Sequence, residues 1–460
     1  MSDETNGAGE PRALHAIAEA DLDAFLAGQP QAVAALATLN GFKAKPGQLL
    51  LVPAGDGGPA TAVFGLGARP TAMAFRALPA RLPAGDYRLE TAPADVAFAA
   101  IALAWALGAY RFTRYRKPAD EPPARLLRPE DAELAEVDTV ATATALARDL
   151  VNTPANDMGP VELELAAREV AEAFGAEIAV VAGDHLLAQN YPAVHAVGRA
   201  AVAARAPRMI EIAWGEATHP RVALVGKGVV FDTGGLDLKP SAGMRLMKKD
   251  MGGAAHALAL GRMVMAAGLP VRLTVLLPVV ENAVAGDAMR PGDVLASRKG
   301  LSIEVGNTDA EGRLILADAL ARAAELEPDL TLDFATLTGA ARAALGPEVV
   351  PFYTDDEALA AALAAAASDE ADPLWRMPLW AGYDGALDSD IADLKNDPDA
   401  WAQAGSVTAA LFLKRFAPAG AWAHFDIFAW NPRGRPGWPA GAEAQAIRAC
   451  YAVLKARYAG

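Results

Sequence analysis

The feature that most constrains the fold is an alternation of short apolar runs with amphipathic helical stretches, which begins at about residue 150. Runs of about four to eight apolar residues separated by such helices are typical of a largely parallel sheet covered on both faces. The predicted strands are 178–181, 209–213, 222–225, 273–277, 330–334 and 422–427, and the predicted helices include 254–267 and 314–326. This α/β pattern predicts ligand binding beyond the carboxyl ends of the parallel strands.

The chain of 460 residues is predicted to form two domains. Residues 1–120 mix short apolar runs with alanine-rich helical stretches, which predicts a smaller N-terminal α/β domain without a chemical motif. A connector, 121–149, begins in a charged, proline-rich segment and continues into a long helix predicted over 131–150. Residues 150–460 form the predicted larger domain, an α/β/α arrangement whose central sheet is mostly parallel.

Composition and charge exclude several classes of protein. A hydrophobic content of 53% rules out disorder, and the single cysteine, Cys450, rules out an intramolecular disulfide and a cysteine zinc cage. The net charge of −15 argues against a nucleic-acid partner and against an anionic membrane surface. The longest apolar stretch, 96–110, predicts a buried helix because a membrane span needs about 20 residues. With its acidic, polar start, the chain is expected to be soluble and cytoplasmic.

Charged residues placed directly after buried strands are the most informative feature of the sequence. Lys227 and Asp232 interrupt an apolar run in which unpaired charges are rarely buried, and this segment alone favours a structural ion pair. Asp250 precedes a helix predicted to begin near Gly252, so helix N-capping is its default role. Lys239 precedes a proline and is predicted to lie in an extended or turn conformation.

A third polar segment carries Asp309 and Glu311 between a strand predicted to end near Val305 and a helix predicted to begin near Arg313. The carboxylates predicted to gather at the strand-exit side are therefore Asp232, Asp250, Asp309 and Glu311. Carboxylates that are crowded together repel one another unless cations neutralise them. Oxygen-rich sites of this kind suit Mg²⁺ or Mn²⁺, and Zn²⁺ also accepts carboxylate oxygen.

Other catalytic chemistries have less support in the sequence. The six histidines are scattered, no His-Glu-x-x-His motif occurs, and His256 is predicted to be a packed core residue. No Gly-x-Ser-x-Gly elbow occurs, and Cys450 lies in a predicted C-terminal helix, so a serine or cysteine nucleophile is unsupported. The dinucleotide-binding fingerprint fails because Phe231 stands where its third glycine belongs.

The octet from Asn307 to Leu314, Asn-Thr-Asp-Ala-Glu-Gly-Arg-Leu, resembles the signature of the leucyl (cytosol) aminopeptidase family. The similarity extends, in order and with family-like spacing, over roughly residues 148–430. The other matching segments are 148–154, 225–235, 239–244, 250–255, 281–282, 290–294, 335–340, 392–396, 405–412 and 422–426. The first ~120 residues show no family signal, so a macrodomain-like N-terminal fold is implied by position alone.

The resemblance implies a pair of divalent metal ions, Mn²⁺ or Zn²⁺, with Mg²⁺ as a further option at the more exchangeable site. Asp232 and Glu311 would contact both ions. Lys227 and Asp250 would complete the more tightly held site, and Asp309 would complete the more exchangeable one. Lys227 could ligate only as the neutral amine, so its proton must be displaced.

The resemblance also assigns two catalytic residues that do not bind metal. Lys239 would stabilise the oxyanion of the tetrahedral intermediate, and Arg313 would hold a bicarbonate ion that serves as a proton shuttle. Met247, Leu337 and Gly339 match positions that line the substrate site, with simple core packing as the alternative for Met247. A metal ion that takes the free α-amine of the substrate would explain selection for the N-terminal residue.

The chain departs from the family pattern near its end. After Asp426 the family usually continues Ile-Ala-Gly-x-Ala-Trp, whereas this chain continues Ile-Phe-Ala-Trp-Asn-Pro and then carries an unusual segment, 433–439. These changes put the substrate preference and some subunit contacts in question.

The sequence thus predicts a metallo-aminopeptidase that acts on peptides with a free N-terminus, and the resemblance implies a homohexamer. One alternative is a dipeptidase-like specialist, for example for Cys-Gly, with the same chemistry and a narrower pocket. A second is a DNA-binding or regulatory hexameric scaffold, against which the net charge and the complete ligand set argue.

Overall fold

The computed structural model describes residues 10–54, 59–117, 123–129, 134–398 and 403–459. Most of the predicted proline-rich connector and the first residues of the predicted connector helix, 131–133, lie outside the described residues. The chain forms two compact units, one of residues 1–145 with 433–440 and one of residues 146–432 with 441–460. A short segment near the C-terminus therefore belongs to the first unit, which local sequence patterns did not indicate.

The first unit is an α/β domain. Its strands are β1 (Arg12–Ala18), β2 (Leu49–Pro53), β3 (Pro59–Gly67), β4 (Gly85–Thr91) and β5 (Ala124–Leu126). Its helices are α1 (Leu22–Ala27), α2 (Gln31–Leu39) and α3 (Phe98–Ala109), with 3₁₀ turns at Glu19–Asp21 and Ala72–Ala80. The strand order is β2-β3-β1-β4-β5, and only β2 pairs antiparallel to its neighbour. A further helix, α4 (Ala135–Asn152), begins in this unit and ends in the second.

The helix predicted over 96–110 is confirmed as a buried core helix. In α3, Ile101, Ala104 and Trp105 are buried in one cluster with Phe75 and Leu78. This packing explains the apolar run without a membrane. Among the described residues, no helix is both long and apolar enough to cross a bilayer.

The second unit contains the remaining elements. Its strands are β6 (Glu177–Ala182), β7 (Arg208–Trp214), β8 (Arg221–Gly226), β9 (Gly228–Asp232), β10 (Arg272–Asn282), β11 (Val294–Ala296), β12 (Ser302–Glu304), β13 (Leu330–Ala335), β14 (Val350–Tyr353), β15 (Leu374–Arg376), β16 (Leu394–Lys395), β17 (Ala421–Asp426), β18 (Trp430–Asn431) and β19 (Gly441–Ala442). Its helices are α5 (Pro160–Ala173), α6 (His185–Ala188), α7 (Pro192–Gly198), α8 (Ser241–Met244), α9 (Gly252–Ala266), α10 (Glu311–Glu325), α11 (Gly339–Leu345), α12 (Glu357–Asp369), α13 (Gly405–Lys414) and α14 (Ile447–Tyr458), with 3₁₀ turns at Ala203–Arg205, Met247–Lys249 and Ala381–Leu387.

The core of the second unit is a nine-stranded sheet in the order β15-β14-β17-β13-β8-β10-β7-β6, with β9 paired to β10. The central strands β17, β13, β8 and β10 are parallel, as predicted. The sheet is nevertheless mixed, because β6 and β7 pair antiparallel on one side and β14 pairs antiparallel to β17 on the other. Two small sheets, β11-β12-β16 and β18-β19, complete the unit.

Helices cover both faces of the central strands, as the side chains of β8 illustrate. Neighbouring residues of a strand point to opposite faces. Ala223 and Val225 pack into the cluster that holds α10, whereas Leu224 lies on the face covered by α9. The approach of α9 is close, because a Cβ atom on Gly253 would lie 2.1 Å from the carbonyl oxygen of Phe334. This tight packing brings the first turn of α9 to the carboxyl ends of β8 and β13.

Candidate metal centre and substrate cavity

Lys227 stands directly after β8 and is buried among carboxylates. Its Nζ lies 2.7 Å from Oδ2 of Asp250 and 2.9 Å from Oε1 of Glu311, and it donates to the carbonyl oxygen of Thr336 at 3.2 Å. Burial alone would lower the pKa of Lys227, but Asp250, Glu311 and Asp232 raise it above its ordinary value. Without metal, the structure therefore holds this lysine as a cation.

Lys239 occupies the opposite side of the carboxylate group. Its Nζ lies 2.9 Å from Oδ2 of Asp232 and also contacts the carboxylate of Asp309. Burial opposes its charge, but the pKa of Lys239 is raised, first by Asp232 and then by its hydrogen bonds to both aspartates. Each of the two lysines thus joins two carboxylates.

Three carboxylates converge between these lysines. Asp232, Asp309 and Glu311 each offer an oxygen atom, and these atoms all lie within 4.8 Å of one another. Burial, with the charge of Asp232, raises the pKa of Glu311 to about 8, and the same causes raise the pKa of Asp309 to about 6. The raised pKa values reflect burial of the two carboxylates first and their closeness to Asp232 second.

Buried oxygen atoms at this centre lack aligned donors. Within the described part of the chain, neither carboxylate oxygen of Glu311 accepts a hydrogen bond, and neither does Oδ2 of Asp250. The Lys227 ammonium lies close to two of these oxygens but is not aligned for hydrogen bonds to them. The charge of Lys227 offsets part of the cost of burying those two oxygens, whereas Oε2 of Glu311 has no hydrogen-bond donor among the described residues. The donor set therefore fits divalent cations that prefer oxygen ligands.

The start of α10 is fixed by its contact with Lys227. Glu311 is the first residue of the helix, and a Cβ atom on the following Gly312 would lie 2.4 Å from Cε of Lys227. Only glycine allows this approach. The helix begins two residues earlier than predicted, so Glu311 and Arg313 both lie on its first turn.

Two predictions about local roles are wrong. Asp250 does not cap α9, because the residue at the cap position is Met251 and no side chain caps that helix. The carboxylate of Asp250 instead faces Lys227 and accepts a hydrogen bond from Oγ1 of Thr336 at 2.9 Å. Lys227 and Asp232 are each ion-paired, but with other partners and not as a pair with one another.

Polar residues that the sequence did not single out hold the carboxylates in place. Nδ2 of Asn282 donates to Oδ1 of Asp232 at 2.8 Å. Thr336 donates to Asp250, as described above, from the end of β13. Asn396 accepts from the backbone N–H groups of Gly306 and Asn307, which fixes the loop that carries Asp309. In the sequence, these three residues are marked only by their position within family-like segments, which are 281–282, 335–340 and 392–396.

Arg313 is buried beside the carboxylate centre. Its Nη1 donates to the carbonyl oxygen of Asn396 at 2.6 Å. Its Nε has no hydrogen-bond partner in the described residues, although the side chain is only 6% exposed. Burial lowers the pKa of this guanidinium, and neighbouring acids partly offset the effect. Arg313 thus keeps a donor available for an anion.

A cavity of about 500 Å³ opens over this centre. It is lined by the predicted residues Lys227, Asp232, Lys239, Met247, Asp250, Asp309, Arg313, Leu337 and Gly339. Glu311 is fully buried and reaches the group through its contact with Lys227. The structure therefore brings every predicted site residue together at the carboxyl ends of the central strands.

Two histidines near the site do not belong to it. His256 is fully buried, its Nδ1 lies 2.6 Å from the carbonyl oxygen of Gly252, and its Nε2 accepts from the backbone of Gln445. Burial lowers the pKa of His256 to about 4, so it is a neutral core residue as predicted. His424 is also fully buried and pairs with Asp333 at 2.6 Å.

Known proteins share this architecture. Residues 145–451 match the catalytic domain of the cytosol aminopeptidase family, and residues 13–129 match the N-terminal domain of M17 aminopeptidases. The chain is 40% identical over 452 residues to a probable cytosol aminopeptidase of Syntrophotalea carbinolica, an alignment that covers 90% of this chain and 89% of that protein.

Solved structures agree with the sequence matches. The chain is similar to the cytosol aminopeptidase from Coxiella burnetii, with 42% identity, a TM-score of 0.92 and coverage of 98% of each chain. It is also similar to the bottromycin maturation enzyme BotP in complex with Mn, with 36% identity and a TM-score of 0.87 over 98% of this chain and 100% of that one.

The match to this family, together with a carboxylate centre under a cavity of about 500 Å³, defines a metal-dependent peptide hydrolase. The chain belongs to the cytosol aminopeptidase (leucyl aminopeptidase) family. It is accordingly a metal-dependent aminopeptidase. The expectation that the first ~120 residues carry no family signal was wrong, because residues 13–129 match the family's N-terminal domain.

Proposed function

We propose that this aminopeptidase uses two divalent metal ions held by five side chains of the carboxylate centre. The observation that carries the proposal is the convergence of Asp232, Asp309 and Glu311 within 4.8 Å, with buried acceptor oxygens on Glu311 and Asp250. Two ions bound there would supply an acidified water and would polarise the scissile carbonyl.

The positions of the side chains support a division into two sites. Asp232 and Glu311 would serve both ions. Asp250 and Lys227 lie together on the buried side, with Asp250 only 2% exposed, and would complete the tighter site. Asp309 is less buried and would complete the exchangeable site. Lys227 would bind as the neutral amine, because an ammonium has no lone pair to donate.

Lys239 is suited to stabilise the oxyanion that forms during hydrolysis. An ammonium group has three N–H donors. Two of them are directed at Asp232 and Asp309, which hold the side chain in place. The third remains for the substrate, because Lys239 lines the cavity. A donor that is already oriented needs no reorganisation when negative charge develops.

Arg313 is suited to hold a bicarbonate ion, and its unpartnered buried Nε is the supporting observation. A guanidinium binds planar oxyanions with two parallel hydrogen bonds. One of its groups is already committed to the carbonyl oxygen of Asn396, which fixes the plane of the guanidinium. Bicarbonate held there would accept and return a proton beside the cavity.

A matched pair of peptides tests selection of the N-terminal residue. If the free α-amine is bound at the metal centre, an N-acetylated peptide should show a kcat/KM at least about a hundredfold lower, a difference of about 2.7 kcal/mol. The same peptide with an amidated C-terminus is the control and should be cleaved at close to the original rate. Similar kcat/KM values for the blocked and free peptides would exclude the proposed binding of the amine.

Chelation tests the dependence on metal. Removing divalent ions should abolish activity, and Mn²⁺ or Zn²⁺ should restore it. The manganese bound by the similar enzyme BotP supports Mn²⁺ as one occupant. Full activity of the metal-free protein would contradict the proposal.

Assembly and location remain predictions. If the protein is a homohexamer, its mass in solution should be about six times that of the 47.6 kDa chain, and light scattering measures this mass directly. The net charge of −15 gives no support to the DNA-binding alternative, whereas a salt-sensitive mobility shift would support it. Fractionation of cells would test the cytoplasmic location.

A further inference from the structure

One buried cation of the substrate cavity has no function in the proposed metal centre. Lys249 lines the cavity and is only 6% exposed. Within the described part of the chain its Nζ makes no hydrogen bond, and the nearest carboxylate oxygen, Oδ1 of Asp250, lies 3.9 Å away. The ammonium group faces the cavity without a hydrogen-bond acceptor from the described residues, so it can donate to a group that enters the cavity.

The surroundings of Lys249 are positive and aromatic. Its Nζ lies 5.1 Å from the centre of the Phe428 ring, and the guanidinium carbon of Arg342 lies 5.0 Å from the same ring. All three residues line the cavity. The Phe428 ring therefore contacts both cations within the cavity.

The nearby carboxylates have other partners. Asp426 accepts hydrogen bonds from the backbone N–H groups of Leu337 and Thr338 and from the hydroxyl of Thr338. Asp250 faces Lys227 and, on the proposed function, serves a metal ion. The donors to Asp426 are neutral, so Asp426 and Asp250 offset part of the positive charge of Lys249 and Arg342, but no carboxylate among the described residues forms a hydrogen bond with the Lys249 ammonium.

We infer that Lys249, supported by Arg342, recognises an acidic side chain at the first residue of the substrate, aspartate or glutamate. This inference rests on the proposed function. The first residue carries both the amine and the scissile carbonyl, so its side chain projects from the atoms that lie at the metal centre. Lys249 directly precedes the proposed ligand Asp250 and lines the same cavity, which places its donor beside that side chain.

The test compares glutamyl and methionyl amides of aminomethylcoumarin. The two side chains are of similar length, and neither substrate has a C-terminal carboxylate. Replacing Lys249 by methionine should lower the ratio of kcat/KM for glutamyl over methionyl substrate by about tenfold to a hundredfold, the value of a charge-assisted hydrogen bond. The metal content should stay close to that of the unmodified enzyme.

Lys248→Met is the matched control. The neighbouring Lys248 donates to the carbonyl oxygen of Asn152 and does not line the cavity, so its loss should leave the ratio unchanged. Competition by glutamic acid α-amide and by methionine amide gives a second measurement on the unmodified enzyme, in which the glutamic amide should bind more tightly.

Distinct outcomes would overturn the inference. An equal loss for both substrates in Lys249→Met would mean that Lys249 acts on the shared backbone. A loss seen only with dipeptides that carry a free carboxylate would assign Lys249 to the C-terminus of the substrate. If Lys249→Met does not fold, equal competition by the two amides would reject the inference. Failure of the metal-loaded, unmodified enzyme to cleave any free-amine substrate would reject the proposed function instead.

Discussion

The Nζ of Lys227 lies 2.7 Å from Oδ2 of Asp250, with both side chains almost fully buried. Removing one partner of a buried ion pair leaves an uncompensated charge, which typically costs about 3–5 kcal/mol. Lys227→Met should therefore lower the free energy of unfolding of the metal-free protein by about that amount. Urea unfolding in the presence of a chelator measures it.

Adding a divalent metal ion tests whether this loss of stability comes from uncompensated carboxylate charge. If the cost is the unpaired charge of Asp250 and Glu311, added Mn²⁺ should recover much of the stability of Lys227→Met. Lys248→Met, whose lysine lies outside the carboxylate centre, is the control and should lose far less. A Lys227→Met protein that is as stable as the unmodified one without metal would contradict the ion-pair account.

Replacing Lys239 separates catalysis from metal binding. Lys239→Met should keep its metal and its substrate affinity, while kcat falls by roughly 10²–10³, the typical effect of removing one oxyanion donor. Asp250→Asn, in contrast, should lose metal together with activity. Elemental analysis beside steady-state kinetics distinguishes the two variants. Loss of metal from Lys239→Met would show that the contacts of Lys239 with Asp232 and Asp309 are structural.

If Arg313 holds bicarbonate, the rate of hydrolysis should depend on the bicarbonate concentration. In buffers freed of carbon dioxide, added bicarbonate should raise kcat of the unmodified enzyme and should have little effect on Arg313→Met. The physical reason is that the buried Nε–H of Arg313 has no hydrogen-bond partner among the residues that the structure describes, and methionine offers no such donor. Equal stimulation of both proteins by bicarbonate would show that Arg313 does not bind it.

The pH dependence of stability should reflect Asp318, which lies on α10 away from the carboxylate centre. Its carboxylate accepts from the backbone N–H groups of Ala193, Val194 and Arg298, yet burial raises the pKa of Asp318 to about 7. A raised pKa in the folded state means that the stabilising contribution is present at low pH and is lost as the pH rises through about 7.

The comparison with Asp318→Asn isolates this effect. The free energy of unfolding of the unmodified protein, relative to the variant, should fall by about 2 kcal/mol between pH 5 and pH 8. At pH 5 the carboxyl is protonated and, like the amide, offers one unprotonated acceptor oxygen to the backbone donors, so the two proteins should have similar stability there. A difference that is independent of pH would mean that Asp318 has the same charge in the folded and unfolded protein.

The strands were predictable from the sequence where both of their faces are buried. The strands β8 and β13 are buried on both faces, so their apolar runs are continuous and stand out. The antiparallel edges were not predictable, because β7 and β14 have the same apolar composition as parallel strands and their direction depends on long-range pairing. The assignment of segment 433–440 to the first unit was also not predictable, because it depends on long-range contacts such as those of Arg76 with Gly437 and Trp438.

The grouping of the carboxylates was predictable because parallel strands bring their carboxyl ends to one edge of the sheet, whereas the roles of Arg313 and of the substrate-lining residues came from the family resemblance. The partners within the set were not predictable. Asp250 looks like a helix cap in its local sequence, and only the packing of α9 against β8 reveals Lys227 as its partner. Asn282 and Thr336 look like ordinary residues at strand ends, although they orient Asp232 and Asp250.

The stoichiometry of bound metal tests the central claim most directly. Metal-free protein titrated with Mn²⁺, with free ion followed by electron paramagnetic resonance, should bind two ions per chain with different affinities. Asp309→Asn should bind one ion tightly, because Asp309 is assigned to the exchangeable site only, and Lys248→Met should still bind two. Binding of one ion or none by the unmodified protein, or of two equally tight ions by Asp309→Asn, would contradict the account.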